Sequence, residues 1–327
     1  MALSQVETAR HSKNIIHVAV GAISDPRGRI LLTRRPDHVH QGGLWEFPGG
    51  KLEPGEALAQ GLERELYEEL GIQLRSSTPL IRVHHHYGDR QVLLDVHRVT
   101  GFTGEPHGRE GQPLRWVHPE AMEADLFPAA DRPIITALRL PDRMLITGPD
   151  PTRVNEFLER LARALASGVR LVQLRTPGLD AEGYWALAAA ASELCRRHGG
   201  RMLVNPPRDA LELPEGVGLH LSSQRLLAAR ERPPGGVSLV GASCHNAAEL
   251  EQAQFLGLDY ALLSPVLPTA SHPHAAPLGW EKFAELVERA ALPVYALGGM
   301  TQRHIAVARQ CGGQGIAAIG GLWSEAV

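Results

Sequence analysis

Ile15 to Ser24 alternates apolar residues with small or polar ones and ends at Asp25-Pro26-Arg27-Gly28, after which Arg29 to Thr33 resumes the alternation. Period-2 runs on either side of a proline and glycine turn predict two strands closed as a hairpin. A second strand pair is expected at Leu80 to His86 and Gln91 to Thr100, across Tyr87-Gly88-Asp89-Arg90. Leucines at 58, 62, 66 and 70, followed by Gly71, have the spacing and the stop of a helix. Pro133 to Leu140 reads as a further helix, and Pro141-Asp142-Arg143 breaks the rhythm, so domains are expected at 1–140 and 143–327. Beyond the break, short apolar runs alternate with alanine-rich and leucine-rich helical stretches. The runs are Met144 to Thr147, Leu171 to Leu174, Met202 to Val204, Gly218 to Leu221, Leu239 to Ala242, Tyr260 to Leu263, Val294 to Leu297 and Ile316 to Ile319. Eight buried strands alternating with helices fit a compact (β/α)8 barrel better than the alternative, an open doubly wound sheet.

Length and composition agree with two globular domains. The chain has 327 residues, 43% apolar and 21% charged, close to ordinary soluble proteins at about 150 residues per domain. Its 33 basic and 36 acidic side chains give a net charge of −3, so no global field draws it to nucleic acid or an anionic membrane, and phosphate binding must be local. Cys195, Cys244 and Cys311 lie far apart with no ligand spacing, which argues against a disulfide framework or a zinc site. No run of 18 apolar residues and no apolar leader stand out. The expected location is a reducing cytoplasm; the oligomeric state is left open.

The densest chemical signal is Gly50 to Glu56, then seven residues, then Arg64-Glu65-Leu66-Tyr67-Glu68-Glu69-Leu70-Gly71-Ile72. Glu65, Glu68 and Glu69 stand at i, i+3 and i+4, on one side of a helix, where like charges repel by a few tenths of a kcal/mol per pair. An acidic, solvated helix face is one reading. The other is a divalent cation, since oxygen ligands without nitrogen or sulfur suit Mg2+ or Mn2+. The full spacing resembles the Nudix box, which implies a hydrolase of nucleoside diphosphate derivatives on an α/β/α sandwich. Over residues 15 to 140, with Leu44-Trp45-Glu46-Phe47-Pro48-Gly49-Gly50-Lys51 and Gly108-Arg109-Glu110-Gly111-Gln112-Pro113, the chain is similar to the MutT-like branch, which hydrolyses oxidised dGTP. That resemblance implies a metal set of the Gly49 carbonyl, Glu65, Glu68, Glu69 and Glu110. Glu65 is then a candidate to orient or deprotonate water, Glu110 an extra ligand or base, and Arg34, Arg35 and Arg90 face the triphosphate; the arginines also read as solvated surface charges. The implied reaction is attack on the β-phosphorus, giving a nucleoside monophosphate and pyrophosphate, with the ions neutralising phosphate oxygens and a carboxylate taking the water's proton.

Asp131 occupies the place of an asparagine that reads 8-oxoguanine in the bacterial relatives. Oxidation turns guanine N7 from acceptor to donor. An ionised Asp131 accepts but does not donate to O6 as an amide would, so a different base preference is one expectation and a plain turn residue before Pro133 another. His84-His85-His86 reads as a half-buried strand edge, because neighbours on a strand point to opposite faces.

The second half resembles the thiamine phosphate synthase and TenI family over residues 143 to 327. The segments that carry the resemblance are Leu145 to Gly148, Val172 to Arg175, Leu203 to Asn205, Gly218 to Leu221, Gly241 to His245, Asp259-Tyr260, Ser264 to Thr269 and Ala296 to Met300. It implies a ligand site with Gln173, Arg175, Asn205, Ser243 and Thr269, and glycine pairs (Gly298-Gly299, and Gly320 with Gly321) offering N–H groups to phosphate; tight turns are the alternative reading of the glycines. The departures are Asn205-Pro206 for an Asn-Asp pair, Arg225 for a second metal-binding aspartate, His272 for a lysine and Pro177 for a basic residue. A synthase must bind and expel pyrophosphate with metal and cations, so synthase activity is not expected. His245 matches the histidine that moves a proton in the thiazole tautomerase TenI. The expectation is a bifunctional chain: an 8-oxo-dGTP diphosphatase on Mg2+ fused to a barrel that takes a thiazole phosphate. The alternatives are a hydrolase of damaged thiamine diphosphate and a barrel that only senses its ligand.

Overall fold

The computed structural model describes residues 15–88, 91–148, 153–176, 178–206, 213–233, 237–269 and 275–323. Arg90, Pro177 and His272 lie outside the described residues. Two compact units emerge: the described residues up to 78 together with 82–132, and those from 133 onward together with 79–81.

In the first unit β1 (Ile15–Ile23), β2 (Ile30–Arg34), β3 (Trp45–Glu46) and β4 (Gly49–Lys51) precede α1 (Leu58–Leu70), and β5 (Gln73–His86), β6 (Gln91–Thr103) and β7 (Leu114–Val117) follow it. They form a mixed sheet, β4-β1-β6-β5, and a second sheet, β3-β2-β7. The hairpin expected at Asp25 to Gly28 is therefore corrected. Both strands and the turn exist, with Asp25 Oδ1 accepting the N–H groups of Arg27 and Arg29 at 2.9 and 2.8 Å. Only the bridge at Ser24 and Ile30 joins the strands. Beyond it β1 is claimed on both edges by β4 and β6, and β2 by β3 and β7. The helix runs over the expected residues and stops at Gly71, whose φ of 70° closes it on the Tyr67 carbonyl. Its leucines 62, 66 and 70 pack on Ala19, Ile23, Leu31, Ile72 and Val99.

The division falls after Arg132, ahead of the break expected at Pro141. The helix α2 (Arg132–Arg139) is tied to the second unit, because Gln314 Nε2 donates to the carbonyls of Ala137 and Leu140 at 3.0 and 2.9 Å. That unit continues with β8 (Arg143–Ile146), α3 (Val154–Ala166), β9 (Leu171–Leu174), α4 (Ala181–Arg197), β10 (Arg201–Val204), β11 (Gly218–Leu221), α5 (Ser223–Ala228) and β12 (Val240–Cys244). It ends with α6 (Ala247–Phe255), β13 (Tyr260–Leu263), α7 (Gly279–Glu288), β14 (Val294–Leu297), α8 (Ile305–Gln310), β15 (Gly315–Ala318) and α9 (Gly320–Trp323). β8 to β15 close into an eight-stranded parallel barrel. Strands buried on both faces read as continuous apolar runs. One set of their side chains packs outward on the helices, Leu145, Val172, Leu174 and Val204 among them. The other set, including Met144, Ile146, Leu171, Leu203, Tyr260 and Tyr295, fills the interior. No described helix is long and apolar enough to cross a membrane. All three cysteines are free thiols.

Candidate functional sites

In the first unit the loop from β4 runs against α1 so closely that side chains are excluded. A Cβ on Gly50 would lie 2.2 Å from the Glu65 carboxyl carbon, and one on Gly49, at φ 146°, only 2.1 Å from the Ala19 carbonyl. The Gly49 N–H donates to Glu69 Oε2 at 3.2 Å. Glu65 and Glu69 therefore sit against loop backbone, while Glu68 is largely exposed.

Arg64 organises this charge, a role the sequence reading did not assign. Its guanidinium donates to both Glu56 oxygens at 2.9 Å, to Glu65 at 2.8 Å, to Glu68 at 3.2 Å and to the Lys51 carbonyl at 3.1 Å. Glu56 also accepts the Glu53 N–H at 2.9 Å, and the hydrogen bonds from Arg64 and Glu53 hold its carboxyl down at about 2. One signal was available: Arg64 precedes Glu68 by four residues on a helix.

Glu69 shows the opposite shift. Burial pushes its carboxyl up to about 8, the charges of Glu46, Glu110 and Glu65 add to the rise, and the Gly49 N–H opposes it. Glu110 is exposed on a loop that folds over the C-terminal end of α1: the Arg109 N–H and Gln112 Nε2 donate to the Glu69 carbonyl at 3.0 and 3.1 Å. Among the described residues no three His, Cys, Asp or Glu side chains are assembled around a metal position. The donor chemistry nevertheless fits a hard cation, because Glu65 and Glu69 pack on the Gly49-Gly50 backbone and burial, with the charges of Glu46, Glu110 and Glu65, raises the Glu69 carboxyl to about 8.

Arg34 and Arg35 end in different surroundings. Arg34 is exposed and donates to the Gly43 carbonyl at 3.1 Å and to Asp37 at 3.3 Å. Arg35 pairs with Glu46 and donates to the His40 carbonyl. Its charge also reaches Asp131, which is buried near Glu46 and accepts the Phe47 N–H. The Phe47 and Phe127 rings meet at a tilt, with centroids 5.8 Å apart. Burial pushes the Asp131 carboxyl up to about 8, Glu46 raises it further, and Arg35 and the Phe47 N–H oppose. Burial thus favours the protonated form of this carboxyl, which carries one donor and one acceptor. Glu46, missed as a functional residue, sets part of that shift. His84 and His86 share a face with rings 4.9 Å apart, while His85 turns to Tyr87.

In the second unit a cavity of about 890 Å3 opens in the barrel. It gathers Gln173 and Arg175 from the end of β9, Asn205 after β10, Ser243 and His245 from β12, Thr269 beyond β13 and the glycines 298, 299 and 320. All nine expected barrel residues therefore share one cavity. Gly298 and Gly299 have φ of 99° and 66°, and Cβ atoms there would lie 2.9 and 2.6 Å from Pro265 and the Pro268 carbonyl. Only glycine fits that wall.

His245 Nδ1 lies 2.8 Å from the Ser264 carbonyl. An acceptor there requires the proton on Nδ1, so in the neutral ring Nε2 keeps a lone pair. The Gln173 side-chain oxygen is buried without a hydrogen-bond partner among the described residues. The lining includes Arg175 and His245 and no carboxylate among the described residues. The cation of Arg225 is felt at Tyr184, whose hydroxyl accepts the Asn205 N–H at 3.0 Å; a positive group thus stands near the rim where the synthase pattern calls for acids.

Comparison with known proteins gives each unit a family. The NUDIX domain family matches residues 19–137, and the family described as thiamine monophosphate synthase matches residues 143–322. An 8-oxo-dGTP diphosphatase from Escherichia coli (strain K12) is 38% identical over 124 residues, which are 38% of this chain and 96% of that protein. A CTP pyrophosphohydrolase from the same organism is 41% identical over 119 residues, 36% of this chain and 87% of its own length. A putative thiamine-phosphate synthase 2 from Aquifex aeolicus (strain VF5) is 36% identical over 163 residues, 50% of this chain and 88% of that protein. With the Glu and Arg64 cluster on α1 and the closed barrel already described, the chain belongs to two families at once: it is a Nudix hydrolase fused to a domain of the thiamine monophosphate synthase and TenI family.

Proposed function

We propose that the first unit is a nucleoside triphosphate pyrophosphohydrolase acting on 8-oxo-dGTP, releasing 8-oxo-dGMP and pyrophosphate with Mg2+ or Mn2+. The observation that carries this is the crowding of Glu65 and Glu69 on the Gly49-Gly50 loop, with the Glu69 carboxyl driven up to about 8. The Gly49 carbonyl, Glu65, Glu68, Glu69 and Glu110 would hold the cation. When bound, it would neutralise phosphate oxygens and acidify water. Glu65 would then accept the proton of the attacking water, and Arg64 keeps that carboxylate oriented. Arg34 and Arg90 remain proposed contacts of the triphosphate.

On the base side, a protonated Asp131 donates to O6 and accepts from N7–H, the pattern an amide offers to 8-oxoguanine. Guanine presents acceptors at both positions and meets the acid's carbonyl oxygen with a lone pair. The relatives named for 8-oxo-dGTP and for CTP are about equally similar, so the test is one substrate panel: 8-oxo-dGTP, dGTP, CTP and thiamine diphosphate, with pyrophosphate or phosphate release measured. Preference for 8-oxo-dGTP is the expected result. Preference for CTP moves the reading to pyrimidines, and preference for thiamine diphosphate moves it to the damaged-cofactor alternative.

We propose that the barrel binds a small phosphorylated ligand such as a thiazole phosphate and lacks synthase activity. The absence of carboxylates from the cavity lining among the described residues, together with Pro206 and Arg225, supports this. His245 Nε2, Gln173 Oε1 and Arg175 offer a base, an acceptor and a cation. Tautomerase turnover would mark an enzyme; binding without turnover would mark a sensor. We further propose that the chain functions in the cytoplasm on small molecules, without direct contact to nucleic acid.

A further inference from the structure

A chain of buried polar groups runs from the barrel interior to the cavity wall. His220, fully buried, places Nδ1 2.9 Å from the Tyr260 hydroxyl and Nε2 2.9 Å from Ser243 Oγ. Its ring stacks on Tyr260 with centroids 5.9 Å apart. Tyr260 is fully buried too, and a Cβ on Gly241 would lie 2.2 Å from its ring, so the phenol is held in place from below.

The direction of each hydrogen bond follows from counting protons. Burial keeps the phenol protonated, well above its usual range, and holds the imidazole down at about 3, neutral with a single N–H. The buried phenol must place its proton on an acceptor, and among the described residues its hydroxyl meets only His220 Nδ1. Nδ1 is therefore the acceptor and Nε2 carries the ring proton. That proton goes to Ser243 Oγ. The hydroxyl then has its own hydrogen left over, and Ser243 lines the cavity.

We infer that His220 and Tyr260 are positioning residues that fix Ser243 as a hydrogen-bond donor pointing into the cavity, toward an acceptor oxygen of the bound ligand. Two residues further on the same face of the strand, His245 offers the complementary lone pair at Nε2. Donor and acceptor are thereby set side by side before any ligand enters. A neutral His220 orients the hydroxyl and carries no proton through the wall. This rests on the reading of the cavity as a ligand site, and its test separates the two.

The tautomer of His220 is read in the full chain by nitrogen-15 NMR of the imidazole, without substitution. Protonated Nε2 with unprotonated Nδ1, unchanged across neutral pH, is the expected result; protonated Nδ1 overturns the inference, because Ser243 would then donate to the ring. The second arm titrates thiazole phosphate into wild type, Ser243→Ala, His220→Leu and His220→Gln, each checked for folding by circular dichroism. Ser243→Ala and His220→Leu should weaken binding about tenfold or more, as expected for a lost hydrogen bond to a charged oxygen, while His220→Gln, which keeps a donor toward Ser243, recovers most of it. Wild-type affinity in both weakened variants overturns the inference. Failure of the unsubstituted chain to bind the probe sinks the ligand reading of the barrel instead, and the tautomer then decides the geometry by itself.

Discussion

On α1, Glu65 and Glu69 pack against the Gly49-Gly50 loop, burial pushes the Glu69 carboxyl up to about 8 with neighbouring carboxylates adding to the rise, and Arg64 spans Glu56, Glu65 and Glu68. In the barrel cavity no carboxylate lines the wall among the described residues, and the polar groups there are hydroxyls, amides, one arginine and a histidine with a free lone pair. Both sites are built for phosphate-bearing molecules, yet they need opposite partners. The first needs a cation to come with its substrate. The second offers Arg175 and glycine N–H donors from the chain itself, and on the proposed reading works without one. On the proposed reading the barrel works without metal yet keeps its cavity, since the glycines and the strand-end polar residues do not depend on acids at the places of Pro206 and Arg225.

The sharpest way to break the contrast is Glu65→Gln. Removing the proposed base should lower pyrophosphate release by about 100- to 10,000-fold, the range for a positioned general base, while the melting temperature stays close to wild type because the side chain sits on a helix face outside the leucine core. Turnover within a few-fold of wild type would show that the carboxylate cluster is only an acidic surface.

Arg64→Ala comes next. It releases several carboxylates from one cation, so activity should fall by roughly 10- to 100-fold as Glu65 loses its orientation, and the melting temperature should drop, less so at high salt, where like-charge repulsion is screened. An unchanged melting temperature at low salt would mean that Arg64 spans the acids without holding them.

Much of this was readable from the chain. Leucine spacing and Gly71 set the limits of α1, and eight apolar runs found their strands, because both signals are local and periodic. What escaped was non-local. Asp25 to Gly28 turns the chain as its residues dictate, but whether β1 and β2 then pair depends on β4, β6, β3 and β7, which compete for their edges. Arg35 reads from sequence as a charge alone, and its pairing with Glu46, eleven residues on, is not visible from the strand it follows. His220 and Tyr260 lie forty residues apart, on strands that meet only through β12. Asp131 stands out in the sequence, but the burial that raises its carboxyl is contained in no window of it.

The barrel side of the contrast predicts that the chain does not condense a pyrimidine diphosphate with a thiazole phosphate at any Mg2+ concentration. Thiazole phosphate alone should raise its melting temperature, since binding to the folded state at a hundredfold excess over Kd contributes about 2.7 kcal/mol. Thiamine phosphate in a coupled assay would show that other groups recruit the metal and that the two sites are less different than their linings suggest.

Asp131→Asn has the smallest and most diagnostic effect, because it keeps the size and the donor–acceptor pattern of the protonated acid and removes only its titration. The carboxyl rises from an unfolded value of about 3.9 to about 8 in the fold. Below the lower value both states are protonated and the fold is at full strength in this respect. Between the two values the unfolded chain ionises while the folded chain does not, so stability is lost as pH rises toward the folded value. The asparagine variant lacks that loss, and its melting temperature should pull ahead of wild type between about pH 5 and about pH 8. Catalysis should follow the same group: above about pH 8 the ionised wild type no longer donates to O6, so the ratio of variant to wild-type kcat/KM on 8-oxo-dGTP should climb with pH while the ratio on a pyrimidine triphosphate stays flat. If both ratios stay flat and the melting curves run parallel, Asp131 is a buried turn residue and the base is read elsewhere.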